Sequence, residues 1–281
     1  MPEAVELDHA PDLKRLYAKA AISTLIKGST WPDHTLVRND VIVDRQHLAE
    51  YNRVCGYGLT DHLPLTYPHI VAFPLAVELM AQPSFPLPLA GLVHIRNRIT
   101  QRRALVVTEP LTVRVHLTEP RPHPKGRVFD IVAQAECAGE QVWESVSTNL
   151  QRGKGDDAAD AGADLGRDGL RHAATWRVAK DTGRRYARVS GDINPIHLNR
   201  VTARLFGFPR PIAHGMWTKA RALAALAERL PEACTAEVEF RKPLLLPATV
   251  ELATRRTDAE WAFAVRARSG SAHVHGRVTD E

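Results

Sequence analysis

The chain has 281 residues, 44% hydrophobic and 25% charged, with 19 prolines, 17 glycines and a formal net charge of +5. At about 150 residues per domain, that length predicts two domains or one large one. The composition excludes wholesale disorder, a collagen-like repeat and a coiled-coil rod. The mild positive charge suits an anionic small ligand or an acidic partner as readily as a nucleic acid.

Residues 1–12, MPEAVELDHAPD, have no basic start leading into an apolar run, so no secretory signal is expected. The next segment predicts a helix over 11–28, with Leu13, Leu16, Ala20, Ile22 and Leu25–Ile26 recurring at helical spacing and Gly28 as a stop. Val41-Ile42-Val43 is a short apolar run, and Asp44 is placed to cap a helix through Tyr51 to about Gly56. A proline-bearing loop, Leu63-Pro64-Leu65-Thr66, leads into an apolar helix over 71–82, then strands over 92–100, 111–117, 128–138 and 141–149. The apolar region 63–95 is broken by Glu78 and six prolines and does not read as a membrane span. Cys55, Cys137 and Cys234 are far apart and odd in number. They are expected as buried free thiols in a reduced cytoplasm.

Residues 151–172, rich in Gly, Asp and Ala, read as a solvated, mobile linker between a unit at 1–150 and a unit at 173–281. Beyond it the pattern repeats. Trp176-Arg177-Val178 is followed by Asp181 and a helix through Tyr186 to about Gly191. The loop Asn194-Pro195-Ile196-His197 comes next, then a helix over 215–230 and strands over 235–241, 248–256, 260–268 and 271–278. Val113, Val115 and Leu117 alternate as half-buried strand residues do. Strand, helix, loop, helix and several strands, twice over, predict an α+β fold with antiparallel sheet.

The chemistry-bearing residues lie in Ser190-Gly191-Asp192-Ile193-Asn194-Pro195-Ile196-His197 and in Ala213-His214-Gly215-Met216. Gly191 can end the helix and Pro195 prevents its immediate restart, so Asp192, Asn194 and His197 share a tight loop. A carboxylate and an imidazole there can share one water or substrate hydroxyl, with different ordinary pKa values. Gly215, at a helix start, offers a backbone N–H to a carbonyl oxygen that gains charge.

This long motif resembles the MaoC-like (R)-specific enoyl-thioester hydratases and dehydratases, which adopt the hotdog fold. The likeness extends through Glu239-Phe240-Arg241-Lys242-Pro243-Leu244-Leu245-Leu246-Pro247, and in the first half through Leu63-Pro64-Leu65-Thr66-Tyr67-Pro68 and Ile99-Thr100-Gln101. It covers roughly residues 35–278 and is closest to the mycobacterial-type (3R)-hydroxyacyl-thioester dehydratases. The resemblance implies a double hotdog: two antiparallel sheets, each around a central helix, packed as a pseudo-dimer. It implies that Asp192 and His197 are the catalytic pair, Asn194 the supporting amide and Gly215 the oxyanion donor. It implies no metal and no redox cofactor. The substrate is expected to be an acyl-CoA or acyl-acyl carrier protein.

In the first half, Tyr57 is expected where Asp192 stands, Thr66 where His197 stands, and Phe73-Pro74-Leu75 where His214-Gly215-Met216 stands. Neither Tyr57 nor Thr66 is a good base and Pro74 has no N–H, so a single active site in the second half is expected. Arg241, Lys242 and Met216 are candidate substrate-binding residues; Arg102 and Arg103 occupy a similar place in the first half. His214 is expected to pack the loop, His273 and His275 to share a strand face without a metal, and Ser190 to lack the turn of a hydrolase nucleophile. No dinucleotide fingerprint and no basic patch interleaved with aromatics is present, so neither a nucleotide cofactor nor a nucleic-acid partner is expected. A non-catalytic thioester-binding module and a hotdog thioesterase are the rival readings, and the assembly is expected to be a monomeric double hotdog or a homodimer.

Overall fold

The structure, a computed structural model, describes residues 3–23, 30–89, 91–160, 165 and 168–281, without the side chains of 20–23. The segment opens with strand β1 (Ala4–Glu6) and helix α1 (Leu13–Ser23). The last predicted turn of that helix, with Leu25–Ile26 and Gly28, lies outside the described residues. The first half continues with β2 (Thr35–Val41), α2 (Arg45–Cys55), α3 (Tyr67–Met80), β3 (Leu92–Gln101), β4 (Leu111–Leu117), β5 (Arg121–His123), β6 (Gly126–Cys137) and β7 (Glu140–Arg152). The second comprises β8 (Arg171–Val178), α4 (Thr182–Ser190), α5 (Arg200–Leu205), α6 (Gly215–Ala224), β9 (Cys234–Phe240), β10 (Ala248–Arg256), β11 (Glu260–Ala267) and β12 (Ala272–Asp280).

The strands form one continuous sheet in the order β1-β2-β4-β6-β7-β3-β9-β12-β11-β10-β8, with β5 on β6. The order β2-β4-β6-β7-β3 in the first half matches β8-β10-β11-β12-β9 in the second. The two expected sheets are thus joined edge to edge where β3 and β9 pair antiparallel, Arg96 opposite Glu239 and Thr100 opposite Thr235. An Arg96–Glu239 ion pair at 2.6 Å and a Thr100–Thr235 hydroxyl hydrogen bond at 2.7 Å cross this seam. Behind it, the fully buried Lys219 of α6 donates from Nζ to Asn97 Oδ1 at 2.6 Å and to the Ala236 carbonyl at 2.9 Å. Trp217 Nε1 donates to the Val54 carbonyl at 3.0 Å, tying α6 to α2.

Each half wraps its sheet around a central helix. α3 is mostly apolar around its circumference and largely buried, as suits a helix enclosed by sheet. In α6, Ala220 and Ala222 are fully buried and small enough for close approach of the sheet. Helix α2 is capped as expected: Asp44 accepts from the N–H groups of Gln46 and His47, and Gly56 closes it at φ 83°. Asp181 occupies the matching place before α4, but its side chain makes no capping hydrogen bond.

Three expectations need correction. The second central helix stops at Ala224, followed by a 3-10 turn at Ala227–Arg229, rather than running to 230. The linker is shorter at both ends, because β7 reaches Arg152 and β8 starts at Arg171. Gly153 and Asp156 donate to the carbonyls of Lys125 and His123, and Leu165 is buried. The matching of the halves also shifts. Thr66 precedes α3 as His214 precedes α6, so Thr66-Tyr67, not Phe73-Pro74, stands opposite His214-Gly215. Pro74 lies inside α3, and nothing in the first half corresponds to the segment bearing α5. The absent oxyanion donor has a different cause: the Tyr67 N–H is taken by the Pro64 carbonyl at 2.7 Å, and Pro68 follows it without an N–H. Among the described residues, no helix is long and apolar enough to cross a membrane.

Candidate active site

The site begins where α4 ends. Gly191 is left-handed at φ 72°, and a Cβ there would lie 2.2 Å from the Leu13 side chain, so α1 packs directly on this turn. Asp192 follows. Asn194 caps a 3-10 turn, Pro195–His197, by accepting from the Ile196 N–H at 3.3 Å. Gly183 lets that turn lie against α4, because a Cβ would sit 2.3 Å from the His197 carbonyl oxygen. Thr202 of α5 donates to the Pro195 carbonyl at 2.6 Å and holds the other side.

His197 is buried, and its Nδ1 lies 2.8 Å from the Ile212 carbonyl. A carbonyl only accepts, so Nδ1 carries the proton and Nε2 of the neutral ring is left with its lone pair. His214 stacks on His197, ring centroids 3.6 Å apart, and its Nε2 donates to the Asp192 carbonyl at 2.9 Å. One ligand-type atom from each of Asp192, His197 and His214 lies within 4.8 Å of the others. The Asp192 carboxylate accepts from the Asn194 N–H and from the Tyr17 hydroxyl, both at 3.2 Å.

These contacts set the charges. Burial works against ionising Asp192, but the two imidazoles, the Asn194 N–H and the Tyr17 hydroxyl outweigh it and hold the carboxyl below its usual range. Burial pushes His197 down, opposed by Asp192 and the Ile212 carbonyl. Burial and the neighbouring His197 push His214 down to about 3, so its ring is neutral where it packs against His197. At neutral pH the loop therefore presents an ionised carboxylate beside a neutral imidazole.

Tyr17, Asp192, Asn194, His197 and His214 line one cavity of about 680 Å³. Gly215 and Met216 are in its wall, with Phe73, Ala76, Val77 and Met80 of α3 on the apolar side. The Gly215 N–H opens α6 and has no acceptor within the helix. A Cβ at Gly215 would lie 2.8 Å from the Phe240 ring, so this glycine is required for space. Arg241 and Lys242 are exposed and line the mouth, Arg241 paired with Glu239 and Lys242 bonded to Ser271 at 2.8 Å. Arg102 and Arg103 do not reach the cavity; they bond to the Gln141 carbonyl and to Glu109.

Asp192, His197 and His214 are also the one grouping of three potential metal ligands among the described residues. The two rings lie nearly face to face, 25° apart. Each ring also has one nitrogen engaged by a backbone carbonyl.

Residues 166–274 match the family model described as a MaoC-like domain. Over 251 residues, 89% of this chain and 90% of the other, the sequence is 34% identical to 3-hydroxyacyl-thioester dehydratase X of Mycobacterium tuberculosis. The chain belongs to the MaoC-like dehydratase family. The crystal structure of HtdX from Mycobacterium tuberculosis superposes with a TM-score of 0.78 at 34% identity, covering 88% of this chain and all of that one. A MaoC-like dehydratase from Phytophthora capsici shares the fold, with a TM-score of 0.74 at 19% identity over 88% of this chain and 94% of that one. The MaoC-like match begins far beyond Tyr17, which sequence reasoning missed. Tyr17 stands 175 residues from Asp192, and only the docking of α1 on Gly191 unites them.

Proposed function

We propose that the protein catalyses reversible syn dehydration of (3R)-hydroxyacyl thioesters to trans-2-enoyl thioesters, with Asp192 and His197 as the catalytic pair. The supporting observation is the pairing of the Asp192 carboxylate with a His197 ring whose proton is fixed on Nδ1, in a cavity that also holds the Gly215 N–H. In hydration, one water lies between the carboxylate and His197 Nε2. It gives a proton to this pair as its oxygen bonds to C3. The C2=C3 electron pair moves toward the carbonyl, and the Gly215 N–H holds the enolate oxygen. The pair then returns a proton to C2 on the same face. Dehydration is the reverse.

Asn194 supports the pair by placement: its N–H meets Asp192 and its side chain caps the turn carrying His197. Met216 flanks the acyl group. Arg241 and Lys242 at the mouth meet the phosphates of coenzyme A or of a carrier-protein arm. The unit at 1–150 is the non-catalytic hotdog and the unit at 173–281 the catalytic one. Burial keeps the Tyr57 phenol protonated, which fits the absence of a base at the place matching Asp192. The site of action is the cytoplasm, and neither a metal nor a redox cofactor enters the reaction.

The test is hydration of enoyl-CoAs of increasing length, with and without carrier protein, followed by chiral analysis. A (3R)-hydroxyacyl product is expected. An (S) product, release of free thiol from acyl-CoA, or binding without turnover would each overturn the reading.

A further inference from the structure

The cavity that holds the catalytic pair has two unlike walls. Helix α3 supplies an apolar side. Facing it, β7 turns Ser145, Ser147 and Asn149 into the cavity in alternation, with His94 of β3 and His69 at the start of α3 beside them. In a sheet that wraps an acyl-binding helix, these are positions where apolar side chains cost least.

The strip is held in place from behind. Lys219 donates to Asn97 Oδ1, and Asn97 Nδ2 in turn donates to Ser145 Oγ at 2.9 Å and Ser147 Oγ at 3.0 Å. Both serine oxygens therefore act as acceptors toward the protein and retain their hydroxyl hydrogens. The hydrogen of Ser145 has His69 Nδ1 at 3.4 Å, a long contact. Asn149 spends its Nδ2 on the Ser147 carbonyl, which leaves Oδ1 as an acceptor. His94 Nε2 is buried and has no hydrogen-bond partner. Burial pushes His69 to about 3 and His94 to about 4, so both rings are uncharged; the Arg96 backbone engages one nitrogen of His94 and leaves Nε2 for a ligand. The ammonium of Lys219 is committed to Asn97 and Ala236.

A saturated chain laid along this strip would desolvate these groups and return no hydrogen bond, at about 1–3 kcal/mol for each buried group left unmet. We propose that the acyl chains this site prefers carry a neutral oxygen, hydroxyl or oxo, beyond C3, which hydrogen-bonds to His94 and to the Ser145–Ser147–Asn149 strip. The inference rests on the thioester reading of the site above and names the substrate class within it.

The experiment compares kcat/KM for pairs of trans-2-enoyl-CoAs of equal length, with and without a hydroxyl or an oxo group at successive positions from C5 outward. At one position or more the oxygenated member is expected to exceed its plain partner about tenfold or more, since sites built to hydrogen-bond a group reject analogues lacking it. Separate hydroxyl and oxo series identify which the strip takes. In His94→Phe and in Asn149→Leu the ratio should fall toward one. The ratio is read within one protein sample, so partial loss of folded enzyme does not affect it. Plain chains matching or exceeding their partners at every position would overturn the proposal while leaving the hydratase reading intact. If no enoyl-CoA of either kind is hydrated, the reading of the reaction fails first.

Discussion

At the scale of single residues, the site depends on two protonation states held together. Asp192 is ionised because the hydrogen bonds and imidazoles around it outweigh its burial, and His197 is neutral because burial disfavours its charged form. Asp192→Asn and His197→Gln should each lower the hydration rate roughly 10²–10⁴-fold, the usual size of a lost general acid or base. Steady-state assays on a short enoyl-CoA check this, and near-normal rates in both variants would remove the mechanism. The same charges set a pH dependence. Hydration needs a neutral His197, whose pKa lies below the ordinary 6.5. The acid inflection of the kcat/KM profile should therefore lie below pH 6.5. An inflection at or above 6.5 would contradict the burial argument.

At the scale of elements, two helices place groups that no local motif announces. Helix α1 carries Tyr17 to Asp192 and Leu13 onto Gly191. Tyr17→Phe keeps the ring and removes one hydrogen bond to the ionised carboxylate, worth about 1.5–3 kcal/mol for a charged acceptor. A fall in kcat of about tenfold, with an acid limb displaced upward while circular dichroism stays native, is the expected outcome. An unaltered pH profile would reduce Tyr17 to packing. Helix α6 presents the Gly215 N–H, and Phe240 occupies the space a side chain would need. Gly215→Ala retains the N–H but must displace the ring or the helix start. Since an ångström of misplacement can cost about 10²-fold in rate, kcat should drop by that order while circular dichroism stays native.

At the scale of the whole molecule, three neutral imidazoles, His214 buried and His69 and His94 partly so, link folding to pH. His69, His94 and His214 have folded pKa values of about 3, 4 and 3, below the ordinary 6.5 of an unfolded chain. Between those values the unfolded chain binds more protons, so stability is complete above about pH 6.5 and is lost as pH falls, by up to ~1.4 kcal/mol per unit per histidine. Urea unfolding at pH 7.5 and pH 5 should show a lower midpoint at pH 5. A single transition is expected at both, because the β3–β9 seam joins the halves. Two transitions, or equal midpoints, would refute this.

The repeated order of elements, the strand alternation and the Asp192–His197 loop could be read directly, because local signals such as Asp44, Gly56, Gly191 and Pro195 determine them. The long-range facts could not. The halves do not correspond residue for residue at Pro74, because the first half lacks the α5 segment and the residue count slips. The fusion of two sheets into one, the arrival of Tyr17 and the polar face of β7 depend on which distant surfaces meet. A period-two pattern reports that a face exists but not what it faces.

The seam between β3 and β9 has a further consequence. Arg96 lies opposite Glu239, so its two sides are chemically unlike. In a symmetric pair of identical chains, any substitution at such an edge enters the interface twice and must suit itself. Here it enters once and meets a different partner. The two edges are also held at an effective concentration set by the connecting chain rather than by the amount of protein present. Extreme dilution therefore leaves this pairing intact, and either half can change its sequence without demanding the same change of the other.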